Sequence, residues 1–293
     1  MHHKDGATKK SLFIQVAWFN PSDLREQLEH VRQEHKDRTK DDYIYNVVLD
    51  EIGNPYTLSS NLTIIAPYLP GGNRKTFDNV FVGSSYIPYQ GEGSPYLDGM
   101  LSATHRWLNL RVQKDLWARF KRQFPQLNFH FYINHEGVLD YFDIPAVRAG
   151  YEAYLIQSVR DSHDVVPDRA VLWSPAVWSG VGLTRPEELG VASTFRNVER
   201  WAKAYGHYGG VKWLHLQDMM GRGRKNVTKY DVRQWYNELD RVYDWDSLRV
   251  NMEMFNQTPE EVQAREDWYE SQGMAVGASW ELRHWYKTHK EIE

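Results

Sequence analysis

Eight short runs of apolar, β-branched and aromatic residues alternate with helix-patterned segments along this 293-residue chain. The alternation restricts the fold more than any single motif does. Strands joined through helices pair in parallel, whereas strands joined by two-residue turns pair antiparallel. The strand-patterned runs are Leu12–Trp18, Asp42–Asp50, Asn79–Tyr89, Leu127–Gly137, Arg169–Ser179, Val211–Asp218, Ser247–Phe255 and Met274–Glu281. A charged helix is expected from about Leu24 to Arg38, with Ser22 and Asp23 as caps, and others over Leu97–Phe124, Asp143–Asp161 and Thr228–Val242. Ser193 is expected to cap a helix that Gly206 stops after Tyr205. Thr258-Pro259-Glu260-Glu261 opens the last of this series, which ends near Gly273.

Eight strand–helix pairs over this length match an α/β chain folded as a (β/α)8 TIM barrel, with residues 1–293 forming a single domain. A doubly wound sheet is the competing arrangement. It calls for a glycine-rich phosphate turn after the first strand, and Trp18-Phe19-Asn20-Pro21 stands there instead.

Composition removes several function classes. The formal net charge of −4 gives no electrostatic case for nucleic acid. No apolar run approaches the roughly 18 residues a membrane span requires, and the opening MHHKDGATKK lacks the apolar core of a secretory signal. Cysteine is absent, which excludes disulfides, thiolate-held zinc, iron–sulfur clusters and thiol nucleophiles. The chain is instead rich in flat amphipathic rings, with 12 Trp and 18 Tyr, and such rings suit the C–H faces of sugars.

The run Leu127–Gly137, LNFHFYINHEG, is the most informative of the eight. Phe129, Phe131 and Ile133 point one way by period two, and His130, Tyr132, Asn134 and Glu136 the other. The run therefore carries Glu136 to its carboxyl end. SLRVNMEMF does the same for Glu253. In a barrel the carboxyl ends of the strands share one cleft. The residues collected there are Trp18, Asp50, Glu51, Tyr86, Asn134, Glu136, Ser174, Gln217, Asp218, Asn251, Glu253, Trp280 and Glu281. The set is rich in carboxylates, amides and rings, and it lacks a phosphate-clamping group of cations. Glycosidic cleavage needs one carboxylic acid to protonate the leaving oxygen and one carboxylate to attack the anomeric carbon or activate water. Glu136 and Glu253 fit that pair.

The layout resembles the clan of retaining (β/α)8-barrel glycoside hydrolases, which carry an acid/base after the fourth strand and a nucleophile after the seventh. The resemblance implies Glu136 as acid/base and Glu253 as nucleophile, with Trp280 of GASWE as the aromatic floor beneath the sugar. VLWSPAVWS, LHLQDMMG and LRVNMEMF are also similar to a little-characterised group of bacterial barrel proteins. These likenesses span about half the chain, from Leu127 to Glu281. His135 stands between Asn134 and Glu136, where the clan places the asparagine directly before the acid.

The expected substrate-binding set is Asn134, His135, Gln217, Asp218, Trp280, Trp18, Tyr86 and Trp173, with Asp218 also a third acid that could act as nucleophile or base. His215 reads as a core residue. Retention requires carboxyl groups about 5–5.5 Å apart, and inversion about 6.5–9.5 Å. The expected partner is a carbohydrate, with no nucleic acid, membrane, metal or cofactor. Two other classes stay open. One is a metal-dependent sugar isomerase or epimerase, which no HxH or HExxH spacing supports. The other is a carbohydrate-binding barrel without turnover.

Overall fold

A computed structural model of the chain describes residues 11–16, 44–49, 79–83, 89, 91–94, 96–133, 135–177, 190–207, 209–221, 227–253 and 257–279. All eight strand-patterned runs contribute a strand: β1 Ser11–Val16, β2 Ile44–Leu49, β3 Asn79–Val82, β4 His130–Ile133, β5 Val171–Trp173, β6 Val211–Gln217, β7 Ser247–Met252 and β8 Val276–Ser279. They form one parallel sheet in the order β2-β1-β3-β4-β5-β6-β7-β8. From β3 onward each strand pairs with the next in sequence.

The first two strands depart from the sequential order of the expected barrel. Ser11 pairs with Ile44 on one side and with Asn79 on the other, so β1 lies between β2 and β3. Apolar periodicity marks a run as a strand but does not encode its neighbours, because any two parallel backbones can exchange the same hydrogen bonds. The sheet curls until β2 and β8, its two edges, approach within 8 Å between Cα atoms.

The described helices are α1 Asp98–Leu101, α2 Ala103–Gln123, α3 Pro145–Val165, α4 Val191–Ala204, α5 Lys229–Val242 and α6 Pro259–Ser271, with a 3-10 turn at Leu139–Asp143. Period-two alternation assigns the two faces of the sheet. Phe129, Phe131 and Ile133 join Trp117, Tyr151, Leu155 and Phe195 in the large core between sheet and helices. Tyr132 packs on the opposite face with Phe81, Leu172 and Trp213.

Several boundaries differ from the sequence reading. The helix expected over Leu97–Phe124 breaks at Ser102, whose extended backbone (ψ 110°) and side chain, accepting from His105 N–H at 3.3 Å, cap α2 afresh. α3 starts at Pro145 because Leu139–Asp143 forms the 3-10 turn first. Gly190 (φ 74°), not Ser193, stands at the start of α4, and the Ser193 hydroxyl donates back to Gly190 O at 2.8 Å. Pro175 cannot donate to a ladder, so β5 stops at Trp173 and resumes only as single bridges from Ala176 to Val138 and Gln217. Thr258 and Thr228 each form a full capping box, with Glu261 and Asp231 respectively. The expected helix near residues 24–38 lies outside the described residues.

Candidate active site

Because β4 to β7 are parallel neighbours, their carboxyl ends form one rim. Ser174 follows β5 directly, Asp218 follows β6, Glu253 follows β7, and Glu136 lies three residues beyond β4. The rim is therefore lined by hydroxyl, carboxylate and amide groups, while the middle of the same face carries Phe81, Tyr132, Leu172 and Trp213. His130 stacks on Phe81 at 5.2 Å and faces Trp213 at 6.4 Å. Its Nδ1 accepts from Ala170 N–H at 3.1 Å. Burial, with Arg169 adding to it, pushes the His130 imidazole down to about 4, so it is neutral near pH 7.

The β5–β7 side of the rim is tied together by side chains. Ser174 donates its hydroxyl to His215 O at 2.6 Å, and Asn251 Nδ2 donates to Ser174 Oγ at 2.9 Å. Gln217 Nε2 donates to Ser174 O at 2.7 Å. Asp218 then joins β6 to β7 twice. Its backbone N–H donates to Asn251 O at 3.1 Å, and its Oδ1 accepts from Glu253 N–H at 2.9 Å and from Met220 N–H at 3.3 Å. The intervening Met219 adopts a left-handed backbone, φ 54°, which a non-glycine residue holds only when its surroundings fix it.

α6 supplies the rest of this network. Tyr269 donates its hydroxyl to Asp218 Oδ2 at 3.1 Å, and Arg265 Nη1 lies 3.4 Å from the same oxygen. Arg265 Nη2 donates to Glu253 O. The main chain of Glu253 is thus held at its N–H by Asp218 and at its carbonyl by Arg265. Gly221 closes the arrangement: a Cβ there would sit 2.6 Å from Glu253 O, so only glycine lets that loop approach. Burial raises the Asp218 carboxyl above the ordinary range, while Arg265 and the N–H groups of Glu253 and Met220 pull it down. Burial also pushes the Tyr269 hydroxyl up, and neighbouring Asp218 adds to that, which keeps the hydroxyl a donor.

On the β4 side, Glu136 is half-buried and its Oε2 accepts from the Tyr96 hydroxyl at 3.4 Å. Its chain neighbours turn inward to the helices. His135 is 1% exposed and packs against the rings of Tyr96, His105, Tyr151 and Tyr154. Burial, with a contribution from His105, pushes its imidazole down to about 3. Trp173 Nε1 donates to His135 O at 2.7 Å, and a Cβ on Gly137 would strike the Trp173 ring, so Gly137 exists to let that indole pass.

The sequence-expected residues therefore divide. Glu136, Glu253, Gln217 and Asp218 stand on one rim. Gln217 Nε2 is taken by Ser174 O, and Asp218 is fully buried with donors on both oxygens. Trp173 and His135 face the helices, where both rings contact Tyr151 and the Trp173 indole reaches the His135 carbonyl; neither ring is open to a ligand on the rim. Asn134, Trp280, Trp18 and Tyr86 lie outside the described residues, as do Asp50, Glu51, Trp178 and Glu281. Arg265 and Tyr269 were not singled out from the sequence. Their i, i+4 spacing on a helix opposite the sixth and seventh strands was the available signal.

Among the described residues no group of three or more His, Asp or Glu could hold a metal ion, and no helix is long and apolar enough to cross a membrane. A cleft of about 520 Å³ opens between α2 and α3, lined by Arg106, Trp107, Leu110, Gln157 and Asp161 among others, and no rim residue borders it.

No protein-family model matches the chain, and no curated protein matches it. Among solved structures it is similar to a GH18 chitinase from Pseudoalteromonas aurantia, with TM-score 0.52 and 11% identity over 91% of this chain and 92% of that one. It is also similar to an exo-beta-1,4-mannosidase from Opitutaceae bacterium strain TAV5, with TM-score 0.40 and 9% identity over 98% and 62%. A Toxoplasma gondii protein assigned as a deoxyribose-phosphate aldolase gives TM-score 0.42 and 15% identity over 96% and 94%. At these identities the likeness to the chitinase is one of fold: helices packed on a curled parallel sheet.

Proposed function

We propose that this chain is a glycoside hydrolase that cleaves a poly- or oligosaccharide with retention, using Glu136 as acid/base and Glu253 as nucleophile. One observation carries the reading: two glutamates follow the fourth and seventh strands on the same rim of one parallel sheet. Three strand steps of about 4.8 Å separate those strand ends by about 14 Å along the sheet. Curling into a closed (β/α)8 barrel, with β2 against β8 as its seam, turns that separation into a chord that two inward-reaching glutamates span. Residues 1–293 form one such domain.

Glu136 gives its proton to the glycosidic oxygen as the Glu253 carboxylate bonds to the anomeric carbon and the leaving alcohol departs. Glu136, now ionised, takes a proton from water as that water displaces Glu253 from the sugar, which restores both groups. Asn134, Trp280, Trp18 and Tyr86 contact the sugar. Gln217 joins them on the sugar's hydroxyls, while Asp218, His135 and Trp173 act behind the two glutamates as their support.

Reducing-end release from a glycan panel that includes chitin and mannan tests the reading. Wild type releases product from at least one glycan, and Glu136→Gln and Glu253→Gln each lower the rate by about 100-fold or more while remaining folded. Full turnover in either variant overturns the assignment. Binding without release favours a carbohydrate-binding barrel, and no release from any glycan together with chelator-sensitive isomerisation or epimerisation of a free sugar favours a metal-dependent isomerase.

A further inference from the structure

We infer that Asp218 and Arg265 are positioning residues that set the backbone of Glu253, and through it the direction of the attacking carboxylate. The inference rests on the hydrolase reading for its catalytic consequence, while its structural half stands on the contacts alone. Asp218 Oδ1 takes the Glu253 N–H at 2.9 Å, and Arg265 takes the Glu253 carbonyl, so one buried ion pair grips both polar ends of a single residue. Ordinary strand ends spend those groups on the next strand. Here β7 ends at Met252, and side chains from the residue after β6 and from α6 continue the hold one residue further.

Four features speak for a dedicated device rather than incidental packing. Both charged groups are buried, Asp218 at 0% and Arg265 at 6% exposure, and burying a charge is costly unless close pairing and further hydrogen bonds, such as those to Glu253, offset it. Met219 is held in a left-handed backbone so that Oδ1 can also take Met220 N–H. Gly221 lies where any side chain would displace Glu253 itself. Tyr269, one turn after Arg265 on α6, fixes the remaining oxygen Oδ2.

Two readouts on Asp218→Ala, Asp218→Asn and Arg265→Lys test the inference. The first is amide hydrogen exchange of the segment around Glu253, which reports local opening whether or not a substrate is known. The second is kcat and KM on a set of 2,4-dinitrophenyl glycosides. Asp218→Ala is expected to lose protection at Glu253, while Asp218→Asn, which keeps Oδ1 as an acceptor, retains most of it. A misdirected nucleophile lowers kcat by about 100-fold with KM little changed. The acidic limb of the kcat–pH profile is expected to move down in Asp218→Asn, which removes a negative charge beside Glu253.

Wild type that cleaves neither an aryl glycoside nor any glycan of the panel, with this exchange pattern in the variants, removes the hydrolase reading and leaves the backbone clamp standing. Unchanged Glu253 exchange in a folded Asp218→Ala overturns the clamp and leaves the hydrolase reading intact. If Asp218→Ala does not fold, the other two variants decide: loss of protection in Asp218→Asn equal to full exchange, or an unchanged kcat in Arg265→Lys, contradicts the inference.

Discussion

At the scale of single residues, the site depends on two glycines whose reasons are steric. Gly137 follows Glu136 directly, and a Cβ there would meet Tyr151 Cε1 at 2.9 Å as well as the Trp173 ring. Both rings are buried and packed on each other at 5.8 Å, so neither can give way cheaply. Gly137→Ala should destabilise the fold by about 1–3 kcal/mol. A lower urea midpoint at unchanged slope would show it, and an unchanged midpoint would mean that the rings move aside. Period two made the faces of β4 legible in the sequence, because LNFHFYI alternates cleanly. It did not do so for β5. Val171, Leu172 and Trp173 are all apolar, so alternation could not tell which face Trp173 takes, and it takes the helix side. Arg265 and Tyr269 were illegible for another reason. On a charged helix, cations and tyrosines usually face water, and only the fold brings these two against Asp218.

At the scale of elements, caps were the best-encoded feature. Thr258-Pro259-Glu260-Glu261 and Thr228 with Asp231 fix the starts of α6 and α5, since a side-chain acceptor three residues before an acid satisfies backbone N–H groups locally. α6 carries both Arg265 and Tyr269, so the Thr258 cap also sets where the Glu253 support lies. The break between α1 and α2 was hidden: Leu97, Met100, Leu101 and Leu108 keep helical spacing across it, and Ser102 competes with the helix through its own hydroxyl. Strand order was hidden too. The eight runs were legible, but the exchange of β1 and β2 depends on how the chain crosses between them, which no local pattern records.

At the scale of the molecule, the abundance of aromatic residues proves to be largely structural among the described residues: Trp117, Trp173, Trp235 and Trp245 are core residues, and Trp107 and Trp201 lie exposed on α2 and α4. The buried histidines make stability depend on pH. His130 and His135 titrate at about 4 and about 3 in the folded protein, chiefly because of burial. In the unfolded chain both titrate near 6.5. Below about 6.5 the unfolded state binds these protons and the folded state does not, so stability falls as pH drops toward about 4, by up to about 1.4 kcal/mol per pH unit for each histidine. Melting temperatures measured from pH 6.5 to 4.5 should decline. His135→Phe should flatten that decline by about one proton, and an unaltered slope would mean that His135 does not stay neutral.

The paired roles of Glu136 and Glu253 are tested most directly by azide rescue of Glu136→Ala and Glu253→Ala on 2,4-dinitrophenyl glycosides, with the anomeric configuration of the azide product read by NMR. Without the nucleophile, azide attacks the sugar itself and gives a glycosyl azide of inverted configuration. Without the acid/base, azide intercepts the sugar bonded to Glu253 and gives the retained configuration. Opposite configurations from the two variants are the predicted result. The same configuration from both, or rescue of neither while wild type turns over, would contradict a retaining pair formed by these two glutamates.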